Sequence, residues 1–415
     1  MTYSENSKTG KMNERTDDGQ ICITHLKKKL VVCLMKNGRA ERIACYGKTD
    51  PRAVPGTVLT GTVRKMIPSI NAVFVDIGCG EDGFIQLSGK NDTRGLIDKG
   101  FKRDSLKCGD MLLVQVAAPP ARGKPMDLTR SVCLTGRYAA VRAGSPGLHV
   151  SRRIDEEWKT RISGDRDLKE AAPDLSVVIR TNACPEEGFT GTVKVKTLSE
   201  IRALSAKLRE IMKAAPTRVG GSVLYSPPGF SVSFLQDVRD DLYSRVVTDV
   251  PEVYRELLPV LRDTGKDLDF YENKKIPLST VCGLEKNLKE LTSRTVYLKS
   301  GGSIVIEQTT ALCAIDVNSG SKTGRGDRRE AFDQVNREAM KEAAHQIIAR
   351  NLSGIILIDL INADHSGDRD GLITFMRECL KDDPERAECI DITELGLMEI
   401  VRSRNLPPLS EQLGN

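Results

Sequence analysis

Two apolar, β-branched runs each close on an aspartate: Ala314-Ile315-Asp316-Val317-Asn318 and Ile356-Leu357-Ile358-Asp359-Leu360. Between them, Phe332, Val335, Ala339, Ala343, Ile347 and Ile348 fall on one stripe at helical spacing. A strand, an amphipathic helix and a second strand read as a crossover unit, which brings both strand ends, and both carboxylates, to one sheet edge. Neighbouring carboxylates repel unless a cation lies between them or one holds a proton. As hard oxygen ligands they suit Mg²⁺ or Mn²⁺, and an ion held there could polarise a phosphate and ready a water for attack. Asn318 lies two residues past Asp316, on the same face of a continuing strand, where its amide could hold that phosphate. Arg325, Arg328 and Arg329, in the Gly-containing basic loop 323–329, could bind flanking phosphates. The alternative is that both aspartates cap a helix or turn after their strands, and the pattern alone leaves both readings open.

The rest of the chain bounds this reading. Its 415 residues exceed one core and suggest two to four domains. With 62 basic and 57 acidic residues the net charge is only +5, so any nucleic-acid surface must be local. Eleven cysteines occur without a Cys-x-x-Cys pair, and the lone Cys22/His25 spacing has no second half. They read as reduced thiols of a cytoplasmic protein, with no zinc expected. Residues 1–20 are polar, read as a disordered tail without a secretory signal, and the apolar run Leu30 to Met35 is too short for a bilayer; no membrane association is expected.

Residues 21–46 alternate as a hairpin with Lys36-Asn37-Gly38-Arg39 at its turn. Short β-rich runs at 57–63, 72–77, 83–87 and 111–116 suggest a small barrel of OB type. Phe74 and Phe84 within it could stack on bases or pack in its core. A Pro/Gly/basic connector at 119–125, containing Lys124, precedes a β-rich block with Ser151-Arg152-Arg153 and Val177-Val178-Ile179-Arg180-Thr181. An arginine fork beside a hydroxyl suits a phosphate, although a surface ion pair explains the same residues. Further on, the pattern predicts a helix at 198–214, a strand at 232–235, a helix opening at 237 and another at 251–262.

Longer stretches resemble a known family. Gly302-Ser-Ile-Val-Ile-Glu-Gln-Thr-Thr-Ala-Leu-Cys-Ala-Ile-Asp316-Val-Asn318-Ser, Asn351-Leu-Ser-Gly354-Ile-Ile-Leu-Ile-Asp359 and Leu395-Gly-Leu-Met-Glu399-Ile-Val-Arg402-Ser-Arg404 resemble the catalytic core of the bacterial ribonuclease E/G family. Ile67-Pro-Ser-Ile-Asn-Ala-Val-Phe74-Val-Asp-Ile-Gly78 with Gly83-Phe84 resembles its RNA-binding barrel, and Leu134-Thr-Gly136-Arg-Tyr with Ser151-Arg152-Arg153-Ile its next segment. The likeness spans residues 21–404.

It implies an α+β multidomain chain. A split RNase H-like subdomain would occupy 21–46 and 228–294, an inserted OB-type barrel 47–130, a 5′-sensor region 131–227 and a DNase I-like catalytic subdomain 295–405, with tails at 1–20 and 406–415. The implied activity is Mg²⁺-dependent endonucleolytic cleavage of single-stranded RNA, often A/U-rich, in rRNA processing and mRNA decay, leaving a 5′-monophosphate on the downstream product. Asp316 and Asp359 would hold Mg²⁺, with Mn²⁺ as a substitute, and Asn318 would assist at the scissile phosphate. Arg180, Thr181 and the backbone near Gly136 would bind a 5′-terminal monophosphate; Phe74, Phe84 and Lys124, with Arg152 and Arg153, would contact RNA. Three positions depart from the family pattern. No Cys-Pro-x-Cys zinc link follows the catalytic core, so a homodimer would form without it; Asn362 replaces an acid, and Ala140 stands at a sensor position usually held by Val. The rival classes are a non-catalytic RNA-binding or ribosome-associated protein, disfavoured by two carboxylates facing an anionic strand, and a DNA nuclease.

Overall fold

The computed structural model describes residues 19–89, 92–97, 105–120, 125–185, 188–262, 264–320, 328–361, 368–403 and 406–414. Residues 1–18, Lys124, Arg325, Asn362 and Arg404, and the side chains of Arg328 and Arg329, lie outside this description. The described residues form a mixed α+β structure of four sheets, one of them closed into a barrel.

The chain begins as a meander of β1 (Gln20–Leu26), β2 (Lys29–Lys36) and β3 (Arg39–Tyr46). Asn37 and Gly38 make the β2–β3 turn with φ of 51° and 73°, the positive values that a two-residue hairpin demands. Ile21, Ile23 and Val32 are buried on one face of this sheet and Cys22, Val31 and Cys33 on the other, so it separates two cores.

Next come β4 (Val58–Ile67), β5 (Ala72–Asp76), β6 (Asp82–Gln86), β7 (Met111–Ala118) and β8 (Asp127–Thr129). The β4–β7 and β6–β8 pairings close them into a five-stranded barrel around Leu59, Val73, Val75, Ile85, Leu112 and Val114. The first four strands are those the sequence predicts. β8 is too short for alternation to register.

β9 (Cys133–Thr135), β10 (Ala139–Arg142), β11 (Gly147–Val150) and β12 (Ser176–Ile179) form a separate sheet in the order β11-β12-β10-β9. Helices α1 (Glu156–Gly164), α2 (Arg166–Glu170) and the long α3 (Gly191–Ala214) pack on it through Ile162, Leu168, Ile201 and Leu208. β13 (Val223–Tyr225) then pairs antiparallel with β4 of the barrel.

Where the sequence predicts a strand at 232–235, the chain forms helix α4 (Phe230–Asp237), which buries Val232, Phe234 and Leu235 against the first sheet. A four-residue apolar run carries no period that separates a strand from a buried helix, and here the available face decided. The helix predicted to open at 237 is reduced to one 3₁₀ turn at Asp240–Leu242. β14 (Arg245–Thr248) and β15 (Asp267–Phe270), joined by α5 (Pro251–Leu261), extend the first sheet in parallel beside β1. α6 (Leu278–Val281) and α7 (Leu284–Thr292) cover its other face.

The last sheet has the order β16-β17-β18-β19-β21-β20. It comprises β16 (Thr295–Tyr297), β17 (Ser303–Gln308), β18 (Leu312–Asn318), β19 (Gly354–Asp359), β20 (Ala387–Ile392) and β21 (Leu397–Arg402). Only β18 and β19 pair in parallel, as the crossover α8 (Arg328–Ala349) requires. α8 and α9 (Arg369–Cys379) lie on one face, where Ala339 and Ala343 let α8 approach closely. Ile355 and Val401, cross-strand partners on the other face, stay 51% and 47% exposed. A short α10 (Leu409–Leu413) returns to β3.

Candidate active site and basic cavity

Alternation in β18 sends Cys313, Ile315 and Val317 into the core and leaves Asp316 and Asn318 on the open face. β19 likewise buries Ile356 and Ile358 and exposes Asp359. Their parallel register makes Asp316 and Asp359 direct partners at the carboxyl ends of both strands. Asn318 Nδ2 donates to Asp316 Oδ2 at 2.7 Å, which steadies that carboxylate and leaves the Asn318 carbonyl oxygen available. Neither aspartate has a Lys or Arg ion-pair partner among the described residues. Two adjacent carboxylates without a neutralising side chain fit a divalent cation. Among the described residues no group of three or more His, Cys, Asp or Glu side chains could hold a metal. Two carboxylates are hard oxygen donors of the kind that could hold a divalent cation which keeps several waters.

A second constellation gathers around the end of β12. Arg180 follows β12 and anchors the backbone by its N–H to Tyr138 O at 2.8 Å. Its guanidinium donates to Gly136 O, to Gln236 O at 3.1 Å and to Asp237 Oδ1 at 2.7 Å. The Thr181 hydroxyl meets Ser151 Oγ at 3.1 Å. Gly136 is held in turn by α3. Glu200 accepts from the N–H groups of Arg137, Tyr138 and Ala139 at 2.7–2.8 Å, and a Cβ on Gly136 would come 2.3 Å from its carboxyl carbon. The resemblance implies a backbone donor near Gly136, but its N–H is given to Ala139 O at 2.8 Å and its carbonyl to Arg180. In this structure Gly136 therefore positions Arg180 and offers no spare donor.

Arg180 and Thr181 open onto a cavity of about 1380 Å³ between the first sheet, the β9–β12 sheet and the helical side of the last sheet. Arg152 and Arg153 line it too, and the Arg153 guanidinium donates to Glu385 O at 2.6 Å. The structure thus groups these two arginines with the phosphate candidates, apart from the phenylalanines. Phe74 and Phe84 are cross-strand partners on β5 and β6, in edge contact with centroids 5.8 Å apart. Val73, Val75 and Ile85 alternate with them into the barrel core, so the two half-buried rings lie on its outer face.

Sequence reasoning missed Glu200 and Asp237, the carboxylates that set the Gly136 loop and engage Arg180. Neither had a signal: each lies in a helix where an acid reads as an ordinary solvated position, and its partner is 57 or more residues away.

A model of the Ribonuclease E/G family matches residues 133–405. The chain belongs to that family. It is 30% identical over 370 residues to Ribonuclease E of Synechocystis sp., covering 86% of this chain and 53% of the relative. Ribonuclease E of a Nostoc species is 28% identical over 371 residues, covering 87% and 52%. Ribonuclease G of Escherichia coli is 27% identical over 381 residues, covering 88% and 76%. The chain thus spans about half the length of the first two relatives. The family match takes in Asp316, Asn318 and Asp359 and the cavity residues Gly136, Arg152, Arg153, Arg180 and Thr181, whereas Phe74 and Phe84 precede it.

Proposed function

We propose that this chain is a Mg²⁺-dependent endoribonuclease, with Mn²⁺ as a substitute, that cleaves single-stranded, A/U-rich RNA in RNA processing and decay and is stimulated by a 5′-monophosphate. The observation that carries the reading is the register of Asp316 with Asp359 on an uncovered sheet face, with Asn318 tied to Asp316 at 2.7 Å. Asp316 and Asp359 would hold the ion, which when bound supplies charge stabilisation at the phosphate and a more acidic water. Asn318 orients the Asp316 carboxylate through one Nδ2–H and could donate the other to an oxygen of the scissile phosphate. The water oxygen would bond to phosphorus as the P–O3′ bond breaks, and a proton lost by that water would pass to the departing 3′ oxygen, leaving a 3′-hydroxyl and a downstream 5′-monophosphate. Phe74 and Phe84 offer half-buried rings on the outer face of the barrel for base stacking, and Arg180 with Thr181 offers a fork and a hydroxyl for a 5′-terminal phosphate.

The subdomain reading has support in topology. The β15-β14-β1-β2-β3 order, an antiparallel meander extended by two parallel strands, suits an RNase H-like unit, and the one-sided last sheet suits a DNase I-like unit. We place the protein in the cytoplasm, a reading supported by eleven free thiols. Pairing of two copies without a zinc link would cover Ile355 and Val401 on the open face.

The test is cleavage of a short, A/U-rich, 5′-monophosphorylated RNA with Mg²⁺ or with chelator, by wild-type protein and Asp316→Asn. Internal cleavage requiring both the ion and Asp316 is expected; binding without turnover under all conditions overturns the assignment. Matched DNA, which lacks the 2′-hydroxyl, is expected to be cut more slowly.

A further inference from the structure

Asn336 is a polar residue on the buried stripe of α8. It falls four residues before Met340, which Ala343 and Ile347 follow at helical spacing; those three are 0% exposed and Asn336 only 4%. An amide in such a place costs stability unless both its groups are bonded. Here one residue satisfies both: Asn336 Nδ2 donates to Ile361 O at 2.9 Å, and Asn336 Oδ1 accepts from the Ile361 N–H at 3.0 Å. Ile361 stands two positions past Asp359, where the backbone has left the sheet. The pairings of β19 with β18 and with β21 both stop at Asp359, opposite Asp316 and Leu397. Strand ends beyond their last ladder bonds open most readily. The Asn336 amide supplies the donor and acceptor that a neighbouring strand would have given, and Leu360, buried in the core, packs the residue between. Asp359 is thereby held from both sides, by the sheet up to its own position and by α8 two residues on. An aspartate at 336 would only accept and a leucine would do neither.

We propose that Asn336 is a positioning residue for the ion site: by clamping both backbone groups of Ile361 it holds the Asp359 carboxylate beside Asp316, so that the pair meets a divalent cation already in place. The proposal rests on reading Asp316 and Asp359 as the ion's ligands. A ligand group fixed beforehand gives up less conformational freedom on binding, so loosening it weakens ion binding even where the fold survives.

The experiment titrates the full chain with Mn²⁺ in the absence of RNA and reads the free ion by its electron paramagnetic resonance signal; the binding that Asp359→Asn loses defines this site. Asn336→Leu removes both bonds at similar volume. Asn336→Gln carries the same two groups one methylene further out and decides the matter where the leucine variant does not fold. Asn287→Leu is the control, because Asn287 is an equally buried amide, on α7, that accepts from the Ala40 N–H at 2.8 Å and donates to Gly38 O at 3.1 Å at the β2–β3 turn. Asn336→Leu is expected to bind Mn²⁺ at this site about tenfold more weakly, Asn336→Gln to fall between it and wild type, and Asn287→Leu to match wild type whatever its melting temperature. Hydrogen exchange should show the Ile361 amide unprotected in Asn336→Leu. RNA cleavage should recover at high Mg²⁺ in the Asn336 variants and stay low in Asp359→Asn. A folded Asn336 variant with wild-type Mn²⁺ affinity, or equal weakening by Asn287→Leu, overturns this proposal alone. Mn²⁺ binding unchanged in Asp359→Asn removes the carboxylate-pair reading, and this proposal with it.

Discussion

Asp383 and Arg402 form an ion pair with side chains 0% and 1% exposed, and removing the carboxylate is expected to cost about 3–5 kcal/mol, because it leaves a buried guanidinium without its counter-charge. Arg402 Nε and Nη2 donate to the two Asp383 oxygens at 2.7 and 2.9 Å, and Nη1 donates to Asn351 Oδ1 and Leu352 O, both at 2.8 Å. Asp383→Ala deletes both charge-assisted bonds, worth about 1.5–3 kcal/mol each, and spares the other two. It also frees the Glu385 N–H, now 3.1 Å from Asp383 Oδ1. Arg402 pairs with Gly354 at the start of β19, the strand that ends in Asp359, so the loss should reach the active site as loosened β19 and β21 amides. Urea unfolding followed by circular dichroism gives the energy, and hydrogen exchange gives the location. Asp383→Leu with Arg402→Met should be less harmful than Asp383→Ala alone, since an apolar replacement removes both desolvation costs. A loss below about 1 kcal/mol for Asp383→Ala, or a double variant as destabilised as the sum of its singles, would refute this account.

Three further outcomes are expected. Phe74→Ala and Phe84→Ala should each weaken single-stranded RNA binding by about 1–3 kcal/mol in a titration, with little change in melting temperature, because the rings lie off the barrel core; a large melting shift with unchanged affinity would make them packing residues. Gly136→Ala should drive Glu200 off the 137–139 amides and abolish any preference for a 5′-monophosphate in paired cleavage assays, and retention of that preference would show the loop is not part of the phosphate site. Burial raises the Glu342 carboxyl, but His345, with Nδ1 3.8 Å away, and hydrogen bonds from Arg39 and Gln346 outweigh it and bring its pKa down to about 2. A carboxyl depressed on folding stabilises the native state above its unfolded pKa. Glu342→Gln should therefore be less stable than wild type at neutral pH, and the gap should close as pH falls from about 4.5 toward 2; a gap constant over that range would exclude the linkage.

The parts legible in sequence were those written in local period. Alternation in 312–318 and the stripe through α8 fixed a strand–helix–strand unit, and only one pairing of that unit puts its aspartates together. The Asn37-Gly38 turn and the β4–β7 runs were readable for the same reason: backbone conformation and face are decided within a few residues. Where a segment had no period of its own, as at 232–235, the reading failed, because the face available for burial chose helix over strand.

By itself, then, the sequence determined the carboxylate pair, the barrel strands and family membership, all properties of order along the chain. Tertiary structure alone decided that Phe74 and Phe84 face outward, that Arg152 and Arg153 join Arg180 instead of the barrel, that Asp237 already occupies the Arg180 fork, and that cations from distant parts of the chain line one cavity. Those facts depend on where residues far apart in sequence come to lie, such as Arg180 and Asp237, 57 positions apart, or Lys36 and Arg377, 341 apart, and charge in space follows packing, which a net of +5 along the chain does not record.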